Sequence, residues 1–152
     1  SVPCSLHSSL VQLLQPKNYL YAKRYKDHLK AKMREKQQLF PSKISDADIS
    51  IVKTLKDFDD IYTSRAHGFK DAMDYYKQCS TLQFLPKIII PTLIINAKND
   101  SFLGPECYPY KEVGKNNSLY LEVPNSGGHV GFYGKQNISY TEKRVIKFYK
   151  EV

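Results

Sequence analysis

The spacing of apolar residues changes character once along the chain. From Pro16 to about Leu82 it is helical: Tyr19, Leu20, Ala22, Tyr25, Leu29, Met33 and Phe40 recur every three to four residues. Pro41 ends that segment, because proline has no N–H to continue a helix. Ser45 then stands as an N-cap with Asp48 three residues on, a capping box with its acid shortened. Gly68 reads as a helix stop. "KDAMDYYKQCS" predicts a further helix with Ala72, Met73, Tyr76 and Cys79 on one side.

From Pro86 the pattern is different. "KIIIPTLIINAKND" is a continuous apolar run rich in isoleucine, the signature of a strand buried on both faces of a parallel sheet. Pro91 opens the strand proper, with "TLIINA" as its core. A second strand is expected from Leu119 to Val123, and the residues between supply a loop and a short helix. "SYTEKRVIKFYKEV" closes the chain as an amphipathic helix with Val145, Ile146, Phe148 and Tyr149 inward. Two parallel strands alone make a poor sheet. The pattern therefore points to part of a larger α/β fold.

Composition adds limits rather than a function. The 152 residues are 41% hydrophobic and 25% charged, ordinary for a globular chain. The longest apolar stretch, "IIIPTLII", is far short of the roughly 18 to 20 residues of a membrane span. "SVPCSLHSSL" does not read as a signal peptide. The net charge is +8, and Lys17 to Lys36 alone holds eight Lys/Arg against two acids. That stretch reads as a solvated helix face or a basic docking surface. No nucleic-acid module accompanies it, so no nucleic-acid partner is expected. Cys4, Cys79 and Cys107 form no CxxC pair, which argues against a zinc site. An odd count without a secretory signal reads as reduced thiols in the cytoplasm. No metal or cofactor is expected.

Candidate chemistry sits after the two strands. Asp100 follows the first, in "NAKND", and His129 follows the second, in "PNSGGHVGF". Ligands of open parallel sheets bind beyond the carboxyl ends of the strands. A carboxylate there can fix the tautomer of an imidazole and stabilise its protonated form, so that the histidine acts as general base. The bland alternatives are a turn aspartate in "KNDS" and a satisfied loop histidine. Gly127, Gly128 and Gly131 around one imidazole suggest a tight turn and close approach of neighbouring backbone. Among the other histidines, His28 belongs to the basic helix surface and His67, in "RAHGF", could face a pocket.

These residues carry a resemblance. "FDDIYTSRAHGFKDAMDYYKQCS", "LPKIIIPTLIINAKND" and "GGHVGF" resemble the C-terminal half of YheT-like α/β-hydrolases, a subfamily of predicted esterases that includes the plant embryogenesis-associated type. The likeness spans almost the whole chain. It implies that residues 1–5 end a sixth strand and that 6–85 form a helical cap. Residues 86–152 would be the last parallel strands of the core and their helices. It makes Asp100 the acid and His129 the histidine of a Ser-Asp-His triad, an order that this fold uses. One departure is Ser101, where the family often has proline. The larger one is the nucleophile: no serine stands in G-x-S-x-G, and Ser126 has Pro124 where the first glycine belongs.

The resemblance implies a serine hydrolase acting on a small ester or acyl substrate, with its serine upstream, so that this chain alone would be inactive. The simplest account is a C-terminal piece of a longer protein. Phe58, Tyr62, His67 and Phe69, with Tyr75 and Tyr76, would shape a substrate pocket. The alternative is a non-catalytic scaffold derived from half a hydrolase, docking through its basic helix. Without partner strands, the edge of "TLIINA" would also invite self-association.

Overall fold

The computed structural model describes residues 1–133 and 138–152. The chain divides into two units, one of Ser1–Ser9 with Ser80–Val152 and one of Leu10–Cys79. The boundary falls within the first helix, α1 (Leu6–Leu13).

The second unit is helical. Pro16 opens a single 3-10 turn whose Asn18 is buried and donates its side-chain amide to the Gln12 carbonyl. The long basic helix α2 (Tyr19–Leu39) follows. It ends where Phe40 N–H bonds to the Lys36 carbonyl, one residue before Pro41. Helix α3 (Asp46–Ile51) starts at the expected box: Ser45 Oγ accepts from Asp48 N–H and Asp48 accepts from Ser45 N–H. Helix α4 (Leu55–Phe58) has a second such box, Thr54 with Asp57. A π-helical turn, Asp59–Thr63, leads into α5 (Ser64–His67). Gly68 stops α5 in the left-handed region, φ 77°, which glycine adopts without a Cβ penalty.

Met33, Ile44, Ile49, Val52 and Phe58 form the core of this unit, with Leu29, Ile61 and Tyr62 packed against it. Only Met33 of α2 is fully buried, whereas Tyr19, Leu20 and Tyr25 are exposed. Helix α6 (Ala72–Cys79) buries Ala72 and Tyr76 but leaves Met73 and Cys79 exposed, so its inner face is narrower than the sequence pattern suggested. Two aspartates from the π-turn explain why: Asp60 accepts from Ala72 N–H and Asp59 accepts from the Tyr76 hydroxyl at 2.6 Å. Both bonds tie the Ala72 and Tyr76 side of the helix to the π-turn.

The first unit is built on two parallel strands, β1 (Thr92–Ile95) and β2 (Leu119–Glu122), paired from Thr92 with Leu119 to Ile95 with Glu122. Between them run a 3-10 turn (Pro105–Cys107) and the short helix α7 (Tyr110–Val113). Cys4, Leu85, Ile94 and Leu119 form the core, with Leu82, Ile88, Val113 and Leu121 around it. Residues 1–5 form no strand. They are tied down by Asn96, whose side chain accepts from Val2 N–H and donates to the Val2 and Cys107 carbonyls. Asn96 is fully buried, and these bonds meet the cost of burying an amide.

Burial along the isoleucine run is less than the sequence implied. Ile89 and Ile90 are exposed, and of β1 only Ile94 is buried. A strand with one neighbour has one unpaired edge and only partial cover. Helix α8 (Tyr140–Glu151) packs Phe148 edge-on against Tyr120 of β2, and Arg144 pairs with Glu122. Its Val145, Ile146 and Tyr149, expected inward, are exposed, because the side of α8 that meets β2 carries Arg144 and Phe148 instead. Among the described residues no helix is long and apolar enough to cross a membrane.

Two outcomes follow from this packing. The thiols of Cys4 and Cys107 are buried while Cys79 is exposed, and burial, with the Cys107 thiol nearby, pushes Cys4 up to about 11. Iodoacetamide near pH 8 should therefore alkylate Cys79 rapidly and the other two only on unfolding, as read by peptide mass spectrometry. The Ser45 hydroxyl and N–H, with Arg65, hold the Asp48 carboxyl at about 2. A depressed carboxylate stabilises the fold above the ordinary aspartate value. That contribution should fade as pH falls from about 4 towards 2. Acid unfolding followed by circular dichroism should show it, and Asp48→Asn should remove that component.

Candidate active site

The loop after β1 is fixed before its acid is reached. Asn96 anchors the strand end, and the Tyr108 hydroxyl donates to the Ala97 carbonyl at 2.8 Å. The chain then turns, with Asp100 N–H bonded to the Ala97 carbonyl. This leaves the Asp100 side chain with no solvent exposure. Its Oδ1 accepts from Phe102 N–H at 2.9 Å. Ser101, where the family often has proline, does not take part in that bond, since the donor is one residue further on.

The loop after β2 returns alongside. Lys98 N–H donates to the Pro124 carbonyl, and Gly128 N–H donates to Asn99 Oδ1 at 2.9 Å. Gly128 has φ 58°, the left-handed conformation that glycine takes at little cost. Gly127 is there for space: a Cβ at this position would lie 2.6 Å from the Phe132 ring and 3.0 Å from the Ala97 Cβ. Phe132 is itself buried, with φ 46°, and its N–H donates to the Gly127 carbonyl. The bond from Phe132 N–H to the Gly127 carbonyl closes a tight ring of backbone that carries His129. His129 leaves that ring pointing at the acid.

His129 Nδ1 lies 2.9 Å from Asp100 Oδ2. The imidazole also packs against Phe102, ring centroids 5.0 Å apart, and its side chain is 36% exposed while that of Asp100 is wholly covered. A carboxylate bonded at Nδ1 holds the proton there and leaves Nε2 as the basic nitrogen. This arrangement can accept a proton at Nε2 and stabilise the resulting imidazolium. Among the described residues no group of His, Cys, Asp and Glu could hold a metal ion.

The aromatic candidates lie in the helical unit. Phe58 is buried in that unit's core, 5.2 Å from the Tyr62 ring. Tyr62 lines a cavity of about 350 Å³. Phe69 packs on Tyr75, and His67 is exposed at the end of α5. Neither His67 nor Phe69 lines the Tyr62 cavity. Three residues that hold the site were not singled out from the sequence: Asn96, Asn99 and Phe102. The usable signal was the pair of asparagines in "NAKND", since asparagine side chains readily bond nearby backbone.

The chain is similar to known proteins. The predicted esterase YheT of Escherichia coli (strain K12) is 35% identical over 136 residues, 88% of this chain and 40% of its own. Medium-chain fatty acid ethyl ester synthase/esterase 2 of Saccharomyces cerevisiae is 37% identical over 97 residues, 64% of this chain and 21% of its own. An abhydrolase domain-containing protein of Dictyostelium discoideum is 30% identical over 132 residues, 86% of this chain and 33% of its own. The chain thus spans less than half the length of each of these relatives. No family profile matches it, and no solved structure does. Taken with the parallel strand pair and the helices around it, these likenesses place the chain among the YheT-like α/β-hydrolases, as the C-terminal part of that fold.

Proposed function

We propose that the protein to which this chain belongs is a serine hydrolase of carboxylic esters, and that Asp100 and His129 are the acid and histidine of its triad. The observation that carries this reading is the 2.9 Å contact between His129 Nδ1 and the covered Asp100 carboxylate. Asp100 orients the imidazole and stabilises its charged form. His129 Nε2 takes the proton of a serine hydroxyl as that oxygen attacks the ester carbonyl, then returns it to the departing alcohol. Water repeats the cycle on the acyl-enzyme. The serine is supplied from a part of the family's fold outside this sequence, since no serine here stands in a G-x-S-x-G elbow. This chain by itself then lacks ester hydrolase activity. Relatives named as esterases support the reaction class. The free thiols of Cys4, Cys79 and Cys107 support a reducing compartment such as the cytoplasm.

In the full-length protein, His129→Ala should abolish turnover of a short-chain p-nitrophenyl ester. Asp100→Asn should lower kcat by about 10³- to 10⁴-fold with little change in melting temperature, because a triad histidine without its carboxylate adopts the wrong tautomer. Wild-type turnover in His129→Ala would sink the triad assignment. Gly127→Ala should also reduce kcat, since its methyl group must displace either Phe132 or Ala97 and with them the loop that aims His129. Retained secondary structure by circular dichroism, with lost activity, is the expected pattern.

A further inference from the structure

The helical unit holds a cavity in which neither Asp100 nor His129 takes part. Its apolar lining comes from Met33, Phe40, Ile44, Ile61, Tyr62 and Ala66, and its volume is about 350 Å³. Ile61 and Tyr62 are carried into it by the π-helical turn Asp59–Thr63. Such turns are rare and recur at functional sites. A second cavity of about 300 Å³ shares Met33, Lys36 and Tyr62 with the first and adds Lys32, Glu35 and Phe58.

The lining of the first cavity is also cationic: Lys36, Lys43 and Arg65 belong to it with a single acid, Asp48. That acid is already engaged, because Arg65 donates to Asp48 Oδ1 at 2.7 Å while the Ser45 hydroxyl and N–H occupy Oδ2. Lys36 and Lys43 enter no ion pair among the described residues. The Lys36 ammonium lies 6.0 Å from the centre of the Phe40 ring, and both residues line the cavity. Apolar side chains beside lysines that form no ion pair suit a ligand with an apolar tail and an anionic head.

We propose that this cavity binds a single-chain amphiphile with an anionic head, its tail on Met33, Ile44 and Ile61 and its head between Lys36 and Lys43. The volume lies near the lower end of ligand pockets, which suits one acyl chain rather than two. Charge complementarity selects the head, since a neutral ester offers the lysines no counter-charge. A fatty carboxylate and a monoalkyl phosphate share this chemistry. The site stands apart from the hydrolytic reading and does not depend on it.

The test is calorimetric titration of the full-length protein with dodecanoate, dodecyl phosphate and methyl dodecanoate, each below its aggregation concentration. Saturable binding of either anion is expected, with methyl dodecanoate at least about tenfold weaker, the loss of one charge-assisted contact. Tighter binding of dodecanoate marks a carboxylate ligand, and tighter binding of dodecyl phosphate marks a phosphate ligand. Lys36→Gln with Lys43→Gln should weaken the anion by about tenfold or more, while Lys23→Gln with Lys26→Gln, on the same helix outside this cavity, should not. Circular dichroism checks that both double variants fold. Equal affinity for the methyl ester, equal loss in both double variants, or no saturable binding would overturn the proposal. Hydrolysis without anion binding would leave the triad reading intact, and anion binding without hydrolysis would leave the cavity reading intact.

Discussion

One buried amide organises the unit that carries the acid and the histidine. Asn96 sits at the end of β1, fully buried, and bonds at once to both backbone groups of Val2 and to the Cys107 carbonyl. It therefore joins three segments far apart in sequence: the first residues of the chain, the exit of β1, and the 3-10 turn of the crossover. A buried amide left unsatisfied would cost about 1–3 kcal/mol per group, so none of the three segments can move away cheaply. Asp100 lies four residues beyond this anchor. The position of the acid is in that sense inherited from an asparagine that does no chemistry.

The family assignment rests on sequence similarity and on the parallel strand pair. Similarity to YheT and to the yeast esterase covers much of this chain but less than half of each relative. What the chain does contain is an imidazole bonded to a covered carboxylate, which the proposed reaction would use as one half of a proton-transfer device. The proposed reaction would take its serine from elsewhere in the fold. The exposed apolar residues of this unit, Ile89 and Ile90 before β1 and Val145 and Ile146 on α8, match a sheet with few strands to shelter them.

The strand pair, the capping box at Ser45, the stop at Gly68 and the placement of Asp100 and His129 after successive strands were all readable in the sequence. Each is a local signal: a run of isoleucines, a serine three residues before an acid, a glycine after a helix. What escaped was decided by tertiary partners. Asp59 and Asp60 tie the Tyr76 and Ala72 side of α6 to the π-turn, which helical periodicity cannot express. The inner face of α8 depends on Glu122 drawing in Arg144, so a charged residue takes a place that apolar patterning assigned to Val145 or Ile146. Asn99 looked like an ordinary turn former, and only the fold shows it holding Gly128.

That last bond has a consequence of its own. The turn bearing the acid and the loop bearing the imidazole are joined twice without help from either side chain, once through Asn99 to Gly128 N–H and once through Lys98 N–H to the Pro124 carbonyl. Neither link carries a formal charge or changes with protonation. In the proposed cycle a proton would come and go on the imidazole while these two links stay unchanged. In the proposed cycle the two side chains would face little reorganisation between one charge state and the next, and the frame would be as ready for the second half-reaction as for the first.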